Sequence, residues 1–385
     1  DLVLRRLHRG HAMRRVVILE AQLKRYRVPF VRQLAAALRA HDISLVVGYS
    51  DPPPQDRDRA DTIELDRELG HKLPLATLWH GRIVLQPAWA LVRDADLVIV
   101  GQANGLLFNY VLLALSRLGV KRVAYWGHGY NHQARGGGMA EWFKRKLLGR
   151  IDWWFAYTPE VTTYLVHQGV REETITTVYN TIDIEALRTA VAGVDRDRAR
   201  ARLGIAPESR VALYCGALVP EKQLGFLVDA AAEVRRLVPD FELVIVGAGR
   251  ERAMLEALAH YRPFIHVVGP AFETDRASYF AISDVCMLPA YAGLAVIDAF
   301  AAGLPIATTD RPGHGPERGY LTPTVDSIVS AFDVDEYALA IAELLADPAD
   351  LAAMKAAARR AADRVPMQRM VAAFTEGIVR CLEAP

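Results

Sequence analysis

Short β-rich runs alternate with helical runs of about a dozen residues almost throughout this chain, and the series starts twice. In the first half, Arg15 to Glu20, Ile43 to Tyr49, Asp96 to Gly101 and Lys121 to Trp126 read as strands. A helix opens at Pro29, a favourable first-turn position, and an apolar helix runs from Leu106 to Leu118. Repeats of this length close as parallel β-α-β units with helices packed on a sheet. After Asn180-Thr181-Ile182-Asp183 the pattern lapses, because 183–203 reads as polar, Arg-rich helix with no strand. A fresh series follows: Arg210 to Gly216, Glu242 to Gly247, Ile265 to Gly269, Val285 to Leu288 and Pro305 to Thr309. The helix after the first of these has Leu224, Leu227, Ala231 and Val234 on one stripe. Residues 335–385 read as helix cut once, by Pro366. The expectation is two doubly wound α/β domains with a ligand cleft between the carboxyl ends of their sheets.

A chain of 385 residues is long enough for two such cores. Its 52% hydrophobic and 24% charged residues are those of a soluble globular protein. The balance of 46 Lys+Arg against 45 Asp+Glu argues against nucleic acid as the main partner. Cys215, Cys286 and Cys381 are scattered, odd in number and set in apolar patterns, so they read as buried thiols of a reducing compartment. No apolar run approaches the roughly 20 residues of a bilayer span. The expected location is the cytoplasm. Residues 1–12 precede Met13, read as an extension, and stay outside the fold argument.

Several segments carry candidate chemistry. Asp298 interrupts an apolar helix among Leu294, Val296, Ile297, Ala299 and Phe300, and a carboxylate there needs a polar partner; a sugar hydroxyl of a bound nucleotide is one. Gly216 to Lys222 follows a strand and opens a helix, where backbone N–H groups and a lysine attract phosphate; charges that merely decorate a first turn are the plainer reading. Gly247 and Gly249 follow a strand as in a dinucleotide fingerprint, but Arg252 stands where the third glycine belongs, and a tight turn presenting Arg250 or Arg252 competes. His128 lies between two glycines at a strand end, so a cleft-facing histidine is favoured over a metal pair with His132. Lys144, Arg145, Lys146 and Arg150 interleave with Trp142, Phe143, Leu147 and Leu148, either as a surface helix packed on the sheet or as a basic helix lying on an anionic membrane. In the loop Arg311 to Leu321, His314 and Glu317 are available to a ligand or belong to a solvated loop.

Together the second half resembles the nucleotide-binding domain of the retaining glycosyltransferases of family 4, the group 1 enzymes with the GT-B fold. The matching residues come in family order: Gly216 and Lys222, Gly247 and Gly249, Val267 to Phe272, Tyr279 to Asp284, Gly293-Leu294, Asp298-Ala299, Gly303-Leu304-Pro305 and Thr309-Asp310. In the first half His128 falls where the family has its active-site histidine, and Asn180 to Asp183 matches the family's domain junction. The resemblance implies two facing Rossmann-like domains. Residues 13–184 with 366–385 would form the acceptor side, the final helix crossing back to it, and 185–365 would bind the nucleotide sugar. Lys222 would neutralise the donor diphosphate, Asp298 would hold the ribose hydroxyls, and backbone at Gly293, Leu294 and Ala295 would cap the phosphates. Gly216, Gly247, Pro270 and Ala271 would complete the donor site, and His128 would face the donor sugar.

Three positions depart from the family pattern. Ala290 stands at the first glutamate of E-x7-E, Ala217 at the usual arginine, and Lys24 to Pro29 at the N-terminal glycine-rich loop. Glu221, Arg250 or the 311–318 loop are candidates to supply what is missing. The implied function is retaining transfer of a sugar from a nucleotide-diphosphate donor, UDP or GDP foremost, without metal or other cofactor. The acceptor would be a saccharide or a lipid-linked saccharide, as in bacterial surface polysaccharide synthesis, with the basic segment at 141–150 against the inner membrane. A nucleotide-sugar epimerase and a nucleotide-binding scaffold derived from a transferase are the alternatives.

Overall fold

The computed structural model describes residues 13–52, 62–78, 83–102, 105–129 and 151–384. Strand β1 (Arg14–Gln22) leads to helix α1 (Val28–Arg39), then β2 (Ile43–Ser50), β3 (Gly70–Lys72) and a small hairpin of β4 (Ala76–Leu78) and β5 (Ile83–Leu85). Next come β6 (Leu97–Gly101), α2 (Leu107–Arg117), β7 (Arg122–Gly127), β8 (Trp153–Ala156), α3 (Pro159–His167) and β9 (Ile175–Thr177). Apart from the hairpin these strands form one parallel sheet in the order β3-β2-β1-β6-β7-β8-β9. Val16 and Ile18 enter one core cluster while Val17 and Leu19 enter another on the opposite face. A strand covered on both faces must be apolar without alternation, which is why RVVIL reads as an unbroken run.

The second half carries α4 (Ile184–Ala192), α5 (Arg196–Leu203), β10 (Arg210–Cys215), α6 (Leu224–Leu237), β11 (Phe241–Val246), α7 (Arg252–His260), β12 (Ile265–Gly269) and α8 (Glu273–Ile282). It continues through β13 (Val285–Met287), α9 (Ala295–Ala302), β14 (Ile306–Thr309), β15 (Ser327–Ser330), α10 (Val334–Ala346) and α11 (Pro348–Ala362), and ends in α12 (Met367–Glu383). Its parallel sheet has the order β12-β11-β10-β13-β14-β15. In each sheet the order reverses once, beside β1 and beside β10. Crevices open at the carboxyl ends of strands at such points.

One hydrophobic core runs from Ile182 to Val365, whereas the clusters of the first half include Met367, Met370, Phe374 and Ile378. Helix α12 therefore crosses back. Phe374 stacks on Phe155 with ring centroids 4.5 Å apart and meets Trp126 edge-on at 5.0 Å. Gly377 makes the approach possible, since a Cβ there would stand 2.6 Å from Thr176 Oγ1. The Arg122 guanidinium anchors the end of the helix through the carbonyls of Cys381 and Ala384.

The structure corrects several sequence readings. The helical stretch at 183–203 is two helices, broken at Gly193 and restarted by Asp195, which accepts from Arg198 N at 3.0 Å. The C-terminal run is cut at Asp347-Pro348 as well as at Pro366. Asp347 caps the new helix by accepting from Ala349 N at 2.9 Å and Asp350 N at 3.0 Å. Beyond the strands read from the sequence, Trp153 and Trp154 lie in β8, where all four residues are buried between neighbouring strands. The helix expected at 141–150 and His132 fall outside the described residues.

Candidate active site

The mouth of the second sheet is built mainly from backbone. Beyond β10 the chain runs through Gly216-Ala217-Leu218 and pairs with the loop after β11. Gly216 N donates to Val246 O at 2.9 Å and Leu218 N to Ala248 O at 2.9 Å. A Cβ on Gly247 would lie 1.9 Å from Gly216 O, and one on Gly249 2.3 Å from Leu218 O. The Gly-x-Gly pair thus serves loop-on-loop packing. Of the arginines expected from this turn, Arg252 pairs with Glu256 at 2.7 Å on α7, and Arg250 lies 3.7 Å from Glu221, both largely exposed. An exposed pair of that kind contributes little.

Lys222 is placed differently from expectation. It ends a 3-10 turn, Pro220–Lys222, ahead of α6 rather than opening it. Its Nζ donates to Tyr291 O at 2.6 Å and sits 4.8 Å over the Tyr291 ring. Tyr291 has φ 41°, an uncommon backbone state for a side chain of its size, and the lysine holds the carbonyl it exposes. Burial pushes the ammonium down to about 8, with Glu317 and Glu221 pulling the other way.

Asp298 is buried on the first turns of α9, and the polar partner it needs is Arg276 of α8. Arg276 Nη1 donates to Asp298 Oδ2 at 2.9 Å. Oδ1 stands 2.9 Å from Nη2 but without the alignment of a hydrogen bond, so that oxygen retains acceptor capacity. Burial raises the carboxyl's pKa, and Arg276 opposes the rise.

A cavity of about 540 Å³ opens between the halves. Gly216, Gly247, Pro270, Ala271 and Arg276 line it from the second sheet, and Arg25 and Tyr26 from the first. Lys222, Gly293, Leu294, Ala295, Asp298 and His128 are not in its lining. The expected site residues therefore divide into a group lining the cavity, which Asp298 reaches through Arg276, and a group around Lys222 and Gly293 at the entrance to α9. Cys215 also borders the cavity, its thiol pushed up to about 12 by burial, which makes it inert.

The first sheet's mouth is made of large side chains. Arg27, only 6% exposed, stacks over Trp126 at 4.1 Å and donates to Asn180 Oδ1 at 2.9 Å and Tyr157 Oη at 3.1 Å. His128, just beyond β7, packs edge-on against Tyr157 at 4.4 Å. Arg25 crosses the cleft to lie 5.0 Å over the Phe272 ring and 3.8 Å from Glu273. Half-buried Glu20 completes this cluster; desolvation raises its pKa and Arg27 lowers it.

The 311–321 loop is not the solvated loop of the plainer sequence reading, because both of its named side chains are buried. His314 is buried with both ring nitrogens taken: Nδ1 accepts from Ala292 N at 3.0 Å, and Nε2 donates to Thr309 O at 3.0 Å. It is unavailable to a ligand, and burial pushes it down to about 4, leaving it neutral. Glu317 is buried too, its Oε1 accepting from Asn180 Nδ2 at 2.6 Å. Sequence reasoning named Asn180 only as part of the junction, saw Arg27 only as a departure, and passed over Arg276 and Tyr157. An arginine inside the first turns of a helix that also carries Phe280 and Ile282 was the one available signal for Arg276.

Among the described residues no group of three His, Cys, Asp or Glu side chains is placed to hold a metal ion, and no helix is long and apolar enough to cross a membrane. The sequence patterns of two families match: Glycosyltransferase Family 4 over residues 28–186 and Glycosyl transferases group 1 over 195–361. The chain belongs to this glycosyltransferase family and has its GT-B fold. A GDP-mannose-dependent alpha-(1-6)-phosphatidylinositol monomannoside mannosyltransferase of Mycolicibacterium smegmatis is 34% identical over 45% of this chain and 51% of its own length. A D-inositol 3-phosphate glycosyltransferase of Rhodococcus opacus is 29% identical over 57% of this chain and 51% of its own. The chain thus spans about half the length of the curated relatives it matches. Sucrose-phosphate synthase from Thermosynechococcus elongatus superposes with a TM-score of 0.74 at 18% identity, covering 97% of this chain and 100% of that one. Anabaena HepE in complex with UDP-glucose gives 0.70 at 17% identity, over 95% and 99%. At such identities the likeness is one of fold.

Proposed function

We propose that this chain is a retaining glycosyltransferase that takes a sugar from a nucleoside-diphosphate donor, without a metal ion, and passes it to a saccharide or lipid-linked acceptor. One observation carries the reading. Lys222 is held by Tyr291 O, two residues before Gly293, so a half-buried cation stands beside the N-terminus of α9 at the point where the second sheet's order reverses. Backbone N–H groups and an ammonium preorganised there lower the barrier as charge builds on a departing diphosphate. Gly216, Gly247, Pro270 and Ala271 would admit the nucleoside, Gly293, Leu294 and Ala295 would cap the phosphates, and Asp298 Oδ1 would take a ribose hydroxyl. His128 would face the sugar from the first sheet. The acceptor hydroxyl would attack on the face the diphosphate leaves, giving its proton to the leaving phosphate, so no protein nucleophile is required.

Residues 13–184 with 366–385 would form the acceptor side and 185–365 the donor side. GDP and UDP are the donors to try first: the mannosyltransferase relatives are named for GDP-mannose, and HepE was solved with UDP-glucose. Phosphatidylinositol mannosides and inositol phosphate in the relatives' names favour a polar, lipid-linked or cyclitol acceptor reached at a membrane surface. Surface glycoconjugate synthesis at the inner membrane is the corresponding role.

The test is a binding and turnover screen with UDP-, GDP-, ADP- and dTDP-sugars in chelator, on the wild type and Lys222→Ala. Metal-independent donor hydrolysis or transfer, lost in Lys222→Ala, is the expected result. Nucleotide binding without turnover would instead favour a scaffold, for which Ala217 and Ala290 are the motive. Epimerised nucleotide sugar would identify an epimerase.

A further inference from the structure

The segment entering α9 lacks a carboxylate of its own, since position 290 is a buried alanine. The loop after β14 is fastened onto this segment. Gly315 N donates to Ala292 O at 3.0 Å, and Ala292 N donates to His314 Nδ1 at 3.0 Å. Gly315 leaves no room for a side chain, as its Cβ would stand 2.7 Å from Ala292 O. This clamp carries Glu317 to Gly293, with Oε2 4.0 Å from the point a Cβ on Gly293 would occupy. Glu317 is 3% exposed, and its other carboxylate oxygen is bound by Asn180 Nδ2, whose amide is oriented in turn by Arg27. Burial raises the Glu317 pKa, while Asn180, Arg27 and Lys222 act against the rise and favour its charged form. Glu221, the other carboxylate acting on Lys222, is 42% exposed and turned toward Arg250.

We propose that Glu317 supplies the carboxylate missing at Ala290: its Oε2 accepts a hydrogen bond from a hydroxyl of the donor sugar beside the N-terminus of α9. The assignment rests on the donor reading above. A buried carboxylate is costly to keep, and a clamp between the halves needs only a neutral amide. A charge-assisted bond to a sugar hydroxyl gives the charge a use, and it would make Glu317 the group that distinguishes a nucleotide sugar from the bare nucleotide.

Glu317→Gln separates the two roles, because glutamine can still accept from Asn180 Nδ2 while the charge is removed. Dissociation constants are measured by calorimetry for UDP, GDP, UDP-glucose and GDP-mannose, with donor hydrolysis on whichever sugar nucleotide the wild type uses. The expected result is an unchanged affinity for the bare diphosphate and a loss of about 10- to 100-fold in kcat/KM for the intact sugar nucleotide. Equal losses for diphosphate and sugar nucleotide, or no loss for either, would overturn the assignment and leave the donor reading standing. Should Glu317→Gln not fold, singly deoxygenated donor sugars on the wild type decide. One position must cost about tenfold or more and the others little; uniform costs overturn the proposal. A wild type that binds none of the four nucleotides overturns the donor reading and this assignment together.

Discussion

The two sheets present their carboxyl ends to one cleft but equip them in opposite ways. The second sheet's mouth is glycine and backbone: Gly247 and Gly249 let two loops touch, and in its buried pair Arg276–Asp298 one carboxylate oxygen is hydrogen-bonded while the other keeps acceptor capacity. The first sheet's mouth is long and aromatic, with Arg27 wedged among Trp126, Tyr157 and Asn180. Backbone that must approach closely constrains residue type at each position, so the second mouth carries a motif. A stacked guanidinium can be replaced by other packings of equal volume, so the first mouth carries none. On the reading proposed above, the second mouth would take the nucleotide and the first would face the acceptor.

The comparison can be broken most sharply at the ion pair. Arg276→Met should destabilise the protein by about 3–5 kcal/mol by leaving a buried carboxylate unpaired, and adding Asp298→Asn should restore much of it. Urea unfolding of the single and double variants checks this; additive losses would mean the two residues act apart. Arg27→Met in the opposite mouth should cost about 3 kcal/mol through lost stacking and two lost hydrogen bonds, with little change in nucleotide affinity. If affinity falls along with stability, the first mouth reaches the donor directly. Gly247→Ala should cost about 2 kcal/mol or more, because its Cβ would collide with Gly216 O at 1.9 Å. Nucleotide affinity should drop as well, while the packing of α12 around Phe374, followed by near-ultraviolet dichroism, stays as it was.

The smallest effect is a pH dependence. Lys222 titrates near 8 in the free protein, below its ordinary 10.5, because burial disfavours the charged form. If the diphosphate binds through the ammonium, as proposed, affinity should be flat below pH 8 and weaken above it by up to about tenfold per pH unit. Lys222→Met should bind more weakly and show no such slope. The same depressed pKa disfavours the fold while both states are charged. Wild-type stability relative to Lys222→Met should therefore rise between about pH 8 and 10.5. A wild type whose affinity is level to pH 9.5 would remove Lys222 from the phosphate site.

Much of this was legible in the residues taken in order. Unbroken apolar runs such as RVVIL announced doubly covered parallel strands, and the lapse at 183–203 announced a second sheet, although Gly193 and Asp195 were not read as a break. A carboxylate at Asp298 within an apolar helix signalled a polar partner, which the residues suggested as a sugar hydroxyl and the fold supplies first as Arg276. Local periodicity and turn chemistry act over a few residues, so the sequence by itself determined the strands, the helices and the glycines that let loops meet. Which charges face one another was decided only by tertiary structure. Arg276 reaches Asp298 from a different helix, and Glu317 lies 137 positions from Asn180 along the chain. Arg27 meets Tyr157 across 130 positions. A buried charge is stabilised by whatever the fold places within about 3 Å of it, and no spacing in the chain encodes that meeting.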